Sequence, residues 1–204
     1  ALDKLLNSQE HVFLTGNAGT GKTTLIKAFQ SESPKNLALV APTGVAAVNV
    51  GGETIHSFFG FPPNVNLERA IYQAKKSKKT KFFQALEVLV IDEISMVRAD
   101  LLDCIDVFLQ TIRKMRVSFG GVRVIMVGDL HQLPPVVTPS ERLAIFSLYA
   151  SPYFFSSHVF QKLSSGLYSQ ILFIELQTIY RQQDPKFIGL LNRVRNNQIL
   201  DSDL

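Results

Sequence analysis

Cysteine is almost missing from this chain: Cys104 is the one in 204 residues, so no internal disulfide can form and a reducing compartment is favoured by default. Cys104 follows Leu101 by three residues and precedes Phe108 by four, which assigns it to the buried side of an amphipathic helix. Long apolar runs are missing too. No stretch reaches the roughly 20 residues that cross a bilayer, and the N-terminus lacks the charged-then-apolar pattern of a secretion signal, so no membrane partner is expected. The third absence is a basic charge spread over the chain. The formal charge is +4, yet Lys75, Lys76, Lys78, Lys79 and Lys81 crowd into one stretch, and without them 16 basic residues face 17 acidic ones. The basic pI is therefore weak evidence for nucleic acid, and the lysine run reads as a solvated helix or loop rather than a phosphate contact. The chain opens at Ala1 without a methionine and closes at Leu204 just after a helical pattern, as a fragment of a longer protein would.

What is present starts with 46% hydrophobic residues, ample for a packed core, in a length that fits one large domain or two small ones. The sequence is organised around Gly16-Asn17-Ala18-Gly19-Thr20-Gly21-Lys22-Thr23-Thr24. Two glycines flank four residues and Lys-Thr follows at once, the pattern of a phosphate-binding loop. His11 to Thr15 is an apolar run fit for a buried strand, and Leu25 to Phe29 continues as a helix, so strand, loop and helix come in the required order. Gly16, Gly19 and Gly21 let the backbone approach closely, so that successive N–H groups converge on a phosphate at a helix start. Lys22 would sit against the β- and γ-phosphate oxygens, and the Thr23 hydroxyl would ligate Mg²⁺.

Asn36 to Ala41 is a second apolar run, ending in Pro42-Thr43-Gly44 before a helix from Val45. Glu87 to Ile91 and Val122 to Val127 are further strands, Ile171 to Ile174 another, and Arg98 to Arg116 a long amphipathic helix with Asp100, Asp103 and Asp106 on its polar side. Alternation of this kind predicts an α/β fold, a mostly parallel sheet with helices on both faces, whose ligands bind at the C-terminal strand edges. Asp92-Glu93 stands at such an edge. Asp92 can hold the Mg²⁺ shell while Glu93, pointing elsewhere, accepts a proton from attacking water, a pairing that favours hydrolysis over kinase chemistry. Gln132, on a loop stiffened by Pro134-Pro135, is placed to report a γ-phosphate. His131 reads as a surface or supporting residue. Arg181, beyond the last strand, suits either a leaving phosphate or a structural pairing with an Asp. His56-Ser57-Phe58 can stack and hydrogen-bond a base or pin a loop to the core, and the core is the better reading without further context. Phe61 to Lys81 reads as a surface excursion. The aromatics from Phe146 to Phe160 read as core packing of an irregular segment.

Six blocks now stand in one order: Gly-Asn-Ala-Gly-Thr-Gly-Lys-Thr-Thr, Ala-Pro-Thr-Gly-Val-Ala-Ala, Thr-Ile-His-Ser-Phe-Phe, Val-Ile-Asp-Glu-Ile-Ser-Met-Val, Val-Gly-Asp-Leu-His-Gln-Leu-Pro-Pro-Val and Tyr-Arg-Gln. Together they resemble the Pif-one family of superfamily 1 DNA helicases, relatives of RecD, over nearly the whole chain. The resemblance implies a RecA-like P-loop ATPase lobe over residues 1–204, with Lys22, Thr23 and Asp92 at Mg·ATP, Glu93 activating water, and Gln132 and Arg181 sensing and stabilising the γ-phosphate. It raises Pro42, Thr43, Gly44, His56, Ser57 and Phe58 to contacts for single-stranded DNA, the track of a 5′-to-3′ motor. It implies an intracellular protein, in a bacterial cytoplasm or a eukaryotic nucleus or mitochondrion. Such motors need a second RecA-like lobe, which this chain lacks; residues 178–204 are expected to begin the connection to it. The motif that reads adenine should lie further upstream than Gln9, a doubtful candidate for it. The lobe alone is expected to bind nucleotide, turn ATP over weakly and separate no strands. A RecD-like conjugative helicase, a P-loop ATPase acting on protein and a non-catalytic nucleic-acid-binding module are the competing readings.

Overall fold

The computed structural model describes residues 1–165, 170–180, 189–190, 193 and 198. Apolar runs of four to six residues become β1 (His11–Gly16), β2 (Leu37–Ala41), β4 (Val88–Ile91), β5 (Arg123–Val127) and β6 (Ile171–Leu176), joined at one edge by the short β3 (Glu53–Thr54). They form one sheet in the order β3-β2-β4-β5-β1-β6. Every pairing is parallel, so the expected mostly parallel sheet is wholly parallel among the described residues.

Both faces are covered, which is why the strands read as unbroken apolar runs rather than alternating ones. Leu89 and Ile91 of β4 join Phe13, Val40, Val124 and Met126 on one face. There they meet α4 (Ile55–Phe59), α5 (Leu67–Lys76), α6 (Thr80–Ala85), α7 (Ala99–Arg113) and α9 (His158–Ser164). Val88 and Val90 face the other way with Val12, Leu14 and Ile125, against α1 (Leu2–Asn7), α2 (Lys22–Glu32) and the end of α3 (Gly44–Val50). The described helices are completed by α8 (Pro139–Leu148), opened by Thr138 and Glu141 in a capping box.

Two expectations need correction. The Phe61-to-Lys81 stretch is not simply a surface excursion: Phe61, Ala70 and Ala74 are buried, and α5 packs on α7. Much of the rest lies at the surface as foreseen, all five lysines included. Asp103 and Asp106, assigned to the polar side of α7, are buried at 4% and 8% exposure. They are there because neighbouring segments arrive with backbone N–H groups that need acceptors. Asp103 accepts from the Tyr149 hydroxyl (2.9 Å) and the amides of His158 and Val159 at the start of α9, and Asp106 accepts from the Phe119 amide and the Gln110 side chain. Gln9 lies just before β1, at the opposite end of that strand from Gly16, so a six-residue strand of about 20 Å separates it from the phosphate loop. Cys104 is core, as expected, and burial pushes its thiol up to about 12.

The N-terminal strand edge is held by two arginines. Arg113 donates from Nε to the Gly120 carbonyl (2.6 Å) and from Nη1 to those of Phe83 and Leu86 (2.8 and 2.9 Å). Arg123, buried at the start of β5, donates to the Glu10 and Leu5 carbonyls (2.7 and 2.6 Å). These bonds satisfy carbonyls in the last turns of α1 and α6, which have no partner within the helix, and others in the adjoining loops.

Candidate functional site

The C-terminal strand edge gathers the residues singled out in sequence. β1 ends at Gly16, where a side chain is impossible: an added Cβ would stand 2.6 Å from the Leu176 carbonyl and 2.8 Å from Thr20 Oγ1. The loop then closes on itself, Thr20 Oγ1 donating to the Asn17 carbonyl (2.8 Å), before Gly21 at φ 87° turns the chain into α2. Only glycine takes that left-handed conformation without strain. Lys22 opens the helix, and its ammonium arches back to the carbonyls of Gly16 (2.7 Å) and Asn17 (3.2 Å). The charge thus sits over the mouth of the loop. Thr23 is half-buried in the first turn beside it, while Ala18 and Thr24 are exposed.

Asp92 and Glu93 follow β4. Asp92 is 6% exposed, its amide donating to the Val40 carbonyl (2.9 Å) and its Oδ1 accepting from the Glu93 amide (3.0 Å). Glu93 adopts φ 50° and ψ 44°, a left-handed conformation that costs a residue with a Cβ about 1–3 kcal/mol. Burial raises both carboxyls above their ordinary range. For Asp92 the Glu93 amide and then Lys22 oppose the shift; for Glu93 the charge of Asp92 adds to it, Lys22 opposes it and Asp129 adds again. Lys22, Asp92, Glu93 and Asp129 therefore share one electrostatic neighbourhood.

Asp129 had no role in the sequence reading. It is 2% exposed, and it accepts from the His131 amide (3.0 Å) and from Gln132 Nε2 (3.1 Å), which fixes Gln132 on an otherwise exposed loop. The signal was there: an apolar strand ending in Gly-Asp. Gly128 is needed because a Cβ would stand 2.9 Å from Ile94 Cγ2 and 3.1 Å from its amide.

The second group of expected residues divides. Thr43 caps α3 through Oγ1, which accepts from the Ala46 amide (3.3 Å), and Gly44 is exposed. Pro42, Thr43 and His56 line one cavity of about 380 Å³ together with Asn64, Met96 and Arg98. Arg98 is clamped there by Asp100 and Glu141, both at 2.6 Å. Ser57 is exposed and bonds Glu53 (3.3 Å). Phe58 is the correction. It is 5% exposed, with its ring against Phe59, Phe82 and Phe83, so it anchors α4 in the core and has no free face for a base. Arg181 falls outside the described residues, as does most of 178–204. Tyr180, just before it, donates its amide to the Gly19 carbonyl (2.9 Å) and so ties the chain after β6 to the phosphate loop.

No three His, Cys, Asp or Glu residues among those described cluster closely enough to hold a metal ion by themselves. Mg²⁺ needs no such cluster, since it takes one or two carboxylates and fills its shell from substrate phosphates and water. Asp92 and the Thr23 hydroxyl supply the hard oxygen donors such an ion prefers.

A family profile described as PIF1-like helicase matches residues 2–203. The ATP-dependent DNA helicase PIF1 of Candida albicans is 35% identical over 97% of this chain and 23% of its own length. A Bacteroides Pif1 helicase solved with ADP-AlF3 and single-stranded DNA is 42% identical, with a TM-score of 0.87 over 99% of this chain and 46% of that one. A structure of two Pif1 helicases coordinating at forked duplex DNA gives 41% identity and a TM-score of 0.88, over 99% of this chain and 48% of that one. The chain spans less than half the length of each of these relatives. Among the described residues no helix is long and apolar enough to cross a membrane.

Proposed function

Because this chain belongs to the PIF1-like helicase family, we propose that it is the first RecA-like motor lobe of an ATP-dependent DNA helicase, binding and hydrolysing ATP while it tracks single-stranded DNA in the 5′-to-3′ direction. The observation that carries the reading is the convergence of the phosphate loop, Lys22, Asp92 and Glu93 at one sheet edge.

The loop amides from Gly16 to Thr24 and the α2 N-terminus cradle the phosphates. Lys22 exchanges its two loop carbonyls for β- and γ-phosphate oxygens. Thr23 and Asp92 would hold Mg²⁺, which would supply positive charge to the phosphates of the nucleotide. Glu93, with a carboxyl raised by burial and by Asp92, is the base that accepts the proton of the attacking water. Asp129 presents the Gln132 amide toward the γ-phosphate, and Arg181 completes its surroundings. Residues 1–204 form one lobe, with 178–204 leading toward a second lobe in the parent protein. Pro42, Thr43, Gly44, His56 and Ser57 contact the DNA strand, and the protein works inside the cell on repair, recombination or genome maintenance.

The test is ATP turnover by the full-length parent protein with and without oligothymidine, combined with unwinding of duplexes bearing a 5′ or a 3′ tail. Stimulation by oligothymidine and unwinding from the 5′ tail alone are expected. Turnover indifferent to oligothymidine points instead to an ATPase acting on protein. The 204-residue chain by itself binds nucleotide, hydrolyses it slowly and separates no strands.

A further inference from the structure

The lysine run is where the molecule concentrates cations that no acid pairs among the described residues. Residues 66–86 hold six cations against a single acid, Glu68. Lys75 and Lys76 close α5, where the negative end of the helix dipole favours them. No such account covers the rest. Lys79 and Lys81 stand at the N-terminal end of α6, the positive end, and that helix has no acidic residue in its first turn. Lys78 is beside them, and among the described residues none of the five lysines is in a salt bridge. The arrangement is repulsive for the isolated chain.

Two exposed aromatics are set among these cations. Tyr72 is 53% exposed with the Lys76 ammonium 4.5 Å from its ring centroid, and Phe82 is 47% exposed. The patch is also attached to the DNA-facing edge proposed above. Lys79 lies 5.9 Å from the ring of Phe58, which is the buried anchor of the helix that carries His56 and Ser57. At its other end α5 begins directly after Pro63, Asn64 and Val65, which line the cavity shared with Thr43 and His56. Cations interleaved with exposed rings are the chemistry that holds an unpaired strand, phosphates to the ammonium groups and bases to the ring faces.

We infer that the α5–α6 turn, through Lys78, Lys79, Lys81 and Tyr72, is a second contact for single-stranded DNA that continues the strand's path beyond the Thr43–His56 cavity. It rests on the DNA-motor reading and adds a site to it. The partner is unpaired rather than duplex DNA, because an unpaired base can turn a ring face to Tyr72, whereas bases paired in a duplex keep their faces stacked on one another.

The experiment measures binding of a fluorescent oligothymidine to the full-length parent protein over a range of salt concentrations. Each phosphate contact on a single strand contributes about 0.7 to the slope of log affinity against log salt, so the triple variant K78Q/K79Q/K81Q is expected to flatten that slope by about 2. Tyr72→Ala is expected to weaken binding at fixed salt at least about 5-fold with the slope unchanged. Neither change touches ATP turnover in the absence of DNA. A control triple, K4Q/K27Q/K162Q, removes the same charge from other exposed sites and leaves the slope alone. An unchanged slope in the first triple, an equal change in the control, or a loss seen with duplex and not with oligothymidine overturns the second contact while leaving the motor reading in place. Wild-type protein that does not bind oligothymidine at all overturns both.

Discussion

The two ends of the sheet both bury charge, and they treat it in opposite ways. At the N-terminal edge, Arg113 and Arg123 are bonded to carbonyls of the helix ends and loops that converge there, and they act as fasteners. At the C-terminal edge, Asp92, Glu93 and Asp129 lie near one another with Lys22 as the nearby cation, and burial raises the first two carboxyls. One edge is built to hold the fold together; the other holds acids in an environment that disfavours their charge and so favours a cation. A parallel sheet makes this division natural, since its two edges carry different loops and ligands meet those at the C-terminal one.

The sharpest way to break the comparison is Glu93→Gln in the full-length protein. If the acids at the C-terminal edge serve chemistry, steady-state turnover of ATP falls by about 10²–10⁴-fold while nucleotide still binds. Near-wild-type hydrolysis would make that edge a relic site.

Arg123→Met tests the opposite edge. Loss of the donors to the Leu5 and Glu10 carbonyls is expected to lower stability by about 1–3 kcal/mol in urea unfolding of the chain, with turnover per folded molecule unchanged. A drop in turnover at constant stability would blur the distinction.

The smallest effect is the dependence of stability on pH. Because Asp92 and Glu93 titrate at a higher pH folded than unfolded, their contribution is complete below the unfolded values, about 4, and is lost as the pH rises through the folded ones. Glu93→Gln is therefore expected to raise the Tm of nucleotide-free protein modestly at pH 7, with the gain fading as the pH approaches 4. An equal gain at both pH values would mean that the carboxylate is not under strain.

Much of this was legible in the order of residues. The phosphate loop, Asp92-Glu93 and the buried strands announce themselves because each is a local pattern: a turn that only glycine can make, a helix start, an apolar run of fixed length. Phe58 was misplaced because its neighbours in the sequence, His56 and Ser57, are polar, and only the arrival of Phe82 and Phe83 from α6 shows that its ring is enclosed. Asp103 and Asp106 misled for the same reason. Spacing along α7 sets their angle around the helix but not what comes to rest against it. Asp129 was overlooked because its value lies in its partners, Gln132 within its own loop and Glu93 on the next strand.

The sequence by itself determined the parallel α/β fold, the phosphate loop and the acids beside it, because these follow from backbone geometry and hydrophobic periodicity over a few residues at a time. Only the tertiary structure decided that Asp103 and Asp106 are acceptors for distant amides, that Phe58 belongs to the core, and that the lysine turn abuts the helix of His56. Those facts depend on which segments meet after long excursions of chain, and no short-range pattern encodes such meetings.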